Sequence, residues 1–196
     1  MIFKKTFLGQ TIIKYQVPLE IFIGLNELYE TQKKHLPSAT PQLAGKIAEE
    51  SSMFYAGPDN KIMHGHNFLT EEILKWFVYV FKHYLDNLQT GKLEYDLSIN
   101  SVWVNEMKAG DYNPVHIHQG RIFTGLSSVM FLKLPKDMGP ELARPDQPMN
   151  GKLQILGNVA GQFVTSDFSP KLKIGDFYVF PYDMRHVVYP FTNKKE

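Results

Sequence analysis

After Gly91 the 196-residue chain changes its hydrophobic period. Short β-prone runs follow one another: "YDLSINSVWVNEM", "RIFTGLSSVMFLKL", "KLQILG", "GQFVTS", "KLKIGDFYVFP" and "HVVYPF", each bounded by Gly, Pro, Asn or Asp. Runs so short and so regularly punctuated predict an all-β sandwich or barrel. Upstream, apolar residues recur at helical spacing instead. Residues 18–34 carry Leu19, Phe22, Leu25 and Leu28 on one face. The segment "TEEILKWFVYVFKHYLDNL" carries Ile73, Phe77, Phe81, Tyr84 and Leu88 at steps of three and four,. Thr70 predicts its N-cap, Glu71 and Glu72 suit its positive end, and Gly91 predicts its stop. A shorter helix is expected over 41–51, and a surface loop over 135–151, which holds four prolines. The expectation is one domain over 1–196, helical over 1–92 and β over 93–196.

Composition narrows the chemistry. Lys and Arg number 21 against 20 acids, a balance that predicts no nucleic-acid partner,. With no cysteine, disulfides, thiolate metal sites and a Cys nucleophile are excluded, so any metal must take His, Asp or Glu,. No run approaches the roughly 18 apolar residues a membrane span needs, and "MIFKKTFLGQTIIKY" lacks the continuous apolar stretch of a signal peptide. A soluble cytoplasmic protein is expected, with its oligomeric state open.

Seven histidines placed at random in 196 residues would give an H-x-H pair in about one chain in four,. "NPVHIHQG" is therefore informative only through its context. If 115–119 is extended, His116 and His118 share one face while Ile117 packs into the other. Their Cα atoms would then lie about 7 Å apart, close enough to converge on a metal with bonds near 2.1 Å. His186, after "GDFYVFPYDMR", is the candidate third ligand from a distant strand. The plain alternative is two polar side chains alternating on a strand. His64 and His66 flank Gly65 in an expected loop, with no strand to align their rings. His35 and His83 are expected to be structural.

The stretches "SVWVNEMKAGDYNPVHIHQG", "FTGLSSVMFLKLP" and "GDFYVFPYDMRHVVYPF" together resemble the iron(II)- and 2-oxoglutarate-dependent oxygenases. The nearest resemblance is to a phage and bacterial group with prolyl-hydroxylase-like members. It spans about residues 100–191. It implies a mainly β fold with α: a double-stranded β-helix, or jelly-roll, with the N-terminal helices packed outside it. It implies His116 as the proximal ligand, His118 two residues on, and His186 as the distal ligand. The implied cofactor is Fe(II), with 2-oxoglutarate and O2 as cosubstrates. The implied reaction is hydroxylation of a protein side chain, prolyl among them, or of a small molecule, releasing succinate and CO2.

The sequence departs from the family's pattern at three places. Most of the superfamily has a carboxylate where His118 stands, completing a two-His-one-carboxylate triad; Asp183 is the alternative carboxylate. Three neutral imidazoles would leave the iron's two positive charges intact, for a 2-oxoglutarate dianion to neutralise. The basic residue that holds the far carboxylate of 2-oxoglutarate falls to Lys195, the better spaced, or to Lys133. Lys194 and Lys195 lie where the family's last strand begins, so that strand is open. Ser127 and Ser128 replace aromatic residues. Two rival readings remain: a three-histidine cupin dioxygenase that does not use 2-oxoglutarate, and a non-catalytic jelly-roll binding or structural protein.

Overall fold

A computed structural model describes residues 9–40, 44–57, 61–88, 94–118, 124–141, 146–158, 161–162 and 164–194, the side chains of 62–64 excepted. In chain order its elements are β1 (Ile13–Gln16), α1 (Leu19–Gln32), β2 (Glu49–Ala56), β3 (Ile62–Asn67) and α2 (Glu71–Asp86). There follow β4 (Ser101–Glu106), β5 (Asn113–His116), β6 (Leu126–Met130), β7 (Leu153–Leu156), β8 (Asp167–Phe168), β9 (Asp176–Pro181) and β10 (Arg185–Val188).

α2 begins where its sequence says it should. Thr70 Oγ1 accepts the Ile73 amide at 3.3 Å, a cap worth about 1 kcal/mol,. Ile73, Phe77, Val80 and Tyr84 form the buried stripe, and α1 buries Ile21, Leu25 and Tyr29. α2 ends at Asp86, capped by the Asn87 amide on the His83 carbonyl; Gly91 lies outside the described residues.

β9 explains the layering. It is the middle strand of a β1-β9-β6 sheet and is buried from Asp176 to Phe180, because both faces are covered. Successive side chains alternate between faces. Phe177 and Val179 join a core built with Ile21, Leu25, Ile73 and Phe77 of the helices. Tyr178 and Phe180 join a second core with Leu153 and Ile155 of β7. The helices thus cover one face of β9, and a four-stranded sheet of order β5-β10-β7-β8 covers the other. A third sheet, β3-β2-β4, turns Val102 and Val104 into the helix-side core. Among the described residues all the strand pairs are antiparallel. The architecture is the expected jelly-roll with helices packed outside it.

The N-terminal part is less helical than expected. In place of the helix expected over 41–51, residues 44–48 are irregular chain and 49–51 begin β2, with 41–43 outside the described residues. Pairing of β2 with β4 from Glu49↔Glu106 to Tyr55↔Ser101 overrides the local propensity of "KIAEE",. His64 and His66 lie on β3 rather than in a loop. β1, too, was not foreseen. Of "GQFVTS", the described residues are not strand; the short β8 begins just after them. The described part of 135–151 contains no helix or strand, as a loop should. Among the described residues no helix is long and apolar enough to cross a membrane.

Candidate metal centre

The approach to β5 is set by a turn. Gly110 adopts φ 88°, a left-handed conformation that favours glycine, and the Asp111 amide closes the turn on the Lys108 carbonyl at 2.9 Å,. Asp111 is buried, and its Oδ2 accepts the amides of Lys108 and Ala48, each at 2.8 Å. These bonds tie the turn to the segment before β2 and aim β5 into the sheet. β5 pairs with β10, placing His116 directly opposite His186. A register irregularity follows, and Asn113 pairs with Val188.

β5 ends at His116, so His118 is not on the strand. Its amide instead donates to the Tyr182 carbonyl at 3.1 Å, in the turn joining β9 to β10. That bond brings His118 back towards His186. Ile117 does not pack inward as expected; it is 40% exposed.

The three histidines converge. Their ligating nitrogens all lie within 4.8 Å of one another. Ring centroids are 4.2 Å apart for His116 and His186, 5.0 Å for His118 and His186, and 5.1 Å for His116 and His118. His118 Nε2 and His186 Nε2 are 3.2 Å apart. Two nitrogens bound to one ion at about 2.1 Å are separated by roughly 3.0–3.4 Å when the angle between them is octahedral or tetrahedral. The observed spacing falls in that range.

Backbone carbonyls orient two of the rings. His116 Nδ1 lies 2.7 Å from the Pro114 carbonyl, and His186 Nδ1 lies 3.0 Å from the Met184 carbonyl. A carbonyl only accepts, so each Nδ1 carries the proton and each Nε2 keeps its lone pair. Aromatic rings pack against two of the three: Trp103 at 5.3 Å from His118, and Phe180 edge-on at 5.2 Å from His186. Burial, followed by the neighbouring His186 and His116, holds His118 down at about 3. Burial holds His186 down at about 4, against the opposing pull of the Met184 carbonyl. Both rings are therefore neutral at physiological pH. The donor set fits a borderline cation that accepts imidazole, such as Fe(II), Ni(II) or Zn(II).

Other candidate residues stand apart. Asp183 is exposed, touches Gln10 at 3.4 Å, and is not in the histidine group. Lys133 follows β6, has a 70% exposed side chain, and pairs with Glu30 of α1. Lys195 lies outside the described residues. Ser127 is buried in β6 opposite Phe180, and Ser128 is opposite Val179. Trp103 and Phe180 were not singled out from sequence; the alternation of "SVWVN" and "FYVF" was the available signal. A cleft of about 390 Å³ between α1 and α2, lined by Glu20, Gly24, Thr70 and Ile73, contains no histidine.

Residues 101–196 match a family described as "Putative 2OG-Fe(II) oxygenase". The chain is also similar to the crystal structure of a Pseudomonas putida prolyl-4-hydroxylase. The TM-score is 0.54 at 15% identity, covering 94% of this chain and 86% of that one. At that identity the likeness is one of fold. No curated protein sequence matches the chain. The matched segment holds all three converging histidines, on a jelly-roll shared with a solved hydroxylase. Residues 101–196, just under half of this chain, are thus similar to the 2-oxoglutarate- and Fe(II)-dependent oxygenases.

Proposed function

We propose that this protein is a non-heme Fe(II)- and 2-oxoglutarate-dependent dioxygenase in which His116, His118 and His186 hold the iron. The observation that carries the reading is the convergence of three imidazole nitrogens within 4.8 Å of one another. Iron held there would supply O2 activation coupled to oxidative decarboxylation of 2-oxoglutarate to succinate and CO2. The proposed outcome is hydroxylation of a C–H bond in a protein side chain, of prolyl type, or in a small molecule.

The chain's own residues set the conditions. The Pro114 and Met184 carbonyls fix which nitrogen of His116 and His186 faces the ion. Phe180 and Trp103 pack against two of the rings and limit their rotation. With no carboxylate among the three, the site adds no negative charge, which favours a dianionic cosubstrate. For the far carboxylate of that cosubstrate the candidates are Lys195 and Lys133; Lys133 would have to exchange Glu30 for it.

The test is anaerobic addition of Fe(II) and 2-oxoglutarate, followed by visible spectroscopy. A weak metal-to-ligand band that needs both components is expected. Iron binding unaffected by 2-oxoglutarate would favour the three-histidine cupin reading, to which the all-imidazole donor set lends support. No iron binding would remove both.

A further inference from the structure

Among the described residues several buried oxygen acceptors have no hydrogen-bond partner, and two of them sit on opposed strand positions. Glu50 of β2 is 7% exposed, and its Oε1 is buried with no hydrogen-bond partner; Asn105 Oδ1 of β4 is in the same condition. The two residues are directly opposed, Glu50↔Asn105, and the pair Ser52↔Trp103 lies two residues along. Opposed residues project from the same face and alternate residues share it, so all four side chains face one way. The Trp103 ring, 5.3 Å from that of His118, identifies this as the face turned towards the histidines. The other face of β4 meets α1, where the Tyr29 hydroxyl donates to Glu106 Oε2 at 2.9 Å.

Burying a carboxylate oxygen without a donor is unfavourable. Glu49, next in sequence, reaches Lys108 at 3.7 Å. A carboxylate offers acceptors only, so Glu50 suits an incoming N–H or a cation, which Asn105 Oδ1 can share,. A 2-oxoglutarate dianion would be repelled there. We propose that Glu50 and Asn105 form a recognition site for a protonated nitrogen group, guanidinium or ammonium, carried by the substrate. A guanidinium presents a planar fork of donors that can meet both opposed acceptors at once. The step from Asn105 to Trp103 is roughly 7 Å, so the nitrogen anchors one end while a carbon several bonds away reaches the histidines. The word substrate rests on the oxygenase reading; the cation site does not.

The test is calorimetric titration of the full chain, with and without Fe(II) and 2-oxoglutarate under anaerobic conditions. The probes are the Nα-acetyl amides of L-arginine, L-lysine and L-citrulline, the last a neutral match for arginine. At least one cationic probe is expected to bind ten times more tightly than citrulline, and Glu50→Gln is expected to bring them within twofold. Ligand-free Glu50→Gln is also expected to melt no lower than the parent, because its amide brings a donor to a place where two acceptors lack one,. Equal or undetectable binding of all three probes overturns the proposal, as does a preference that survives Glu50→Gln. A lowered melting temperature would mark Glu50 as structural and overturn it too. A cation preference without the Fe(II)/2-oxoglutarate band would keep this site and remove only the oxygenase reading.

Discussion

Acidification from pH 7 to pH 5 should weaken the metal-free protein through two of its histidines. In the unfolded chain both His118 and His186 titrate near 6.5. In the folded chain they are held down at about 3 and about 4. Between pH 6.5 and about 4 the unfolded chain therefore binds protons that the folded chain refuses, and stability falls as pH falls through that window. At pH 5 the unfolded imidazole is almost fully protonated, while His186, 3% exposed, remains neutral in the fold. The difference is about 2 kcal/mol for His186 relative to pH 7, and at most as much for the less buried His118. Urea denaturation at the two pH values measures it, since the midpoint moves while the slope holds. The double variant His118→Gln/His186→Gln should lose correspondingly less on acidification. A parent protein as stable at pH 5 as at pH 7, or a double variant with the same acid loss, would refute burial of two neutral imidazoles.

Three further outcomes follow from the geometry. His118→Asp should still bind Fe(II), because a carboxylate can replace the imidazole near His186 Nε2, whereas His116→Ala should reduce iron binding at least a hundredfold; metal titration by absorption or calorimetry reads both,. Leu153→Ala, fully buried between the sheets, should cost about 2–5 kcal/mol of unfolding free energy in a denaturant titration,. Lys133→Met should leave 2-oxoglutarate affinity within about twofold, because its ammonium is engaged by Glu30 at the surface; a tenfold loss would make Lys133 the cosubstrate anchor,.

Local signals in the sequence determined much of this protein. The spacing of Ile73, Phe77 and Tyr84 after Thr70 was enough for α2, since a helix is written in contacts three and four residues apart,. The "DFYVFP" run between a Gly-Asp turn and "YDMRH" was enough for a buried strand and a histidine beyond it. Tertiary structure decided what depends on partners far along the chain. Residues 41–51 looked helical because the propensity of "KIAEE" is local, while the ladder that makes Glu49 and Glu50 strand comes from β4, more than fifty residues later. His118 leaves the strand, yet rejoins the other histidines through the Tyr182 carbonyl, a bond that no periodicity announces. The irregularity between β5 and β10 sets His116 opposite His186, and a register that shifts by one residue reverses which side chains face inward,. The same pairing logic turns Glu50 and Asn105 towards the histidines. The sequence carried the imidazoles and two of the strands that bear them; cross-strand register and the Tyr182 bond decided which side chains meet.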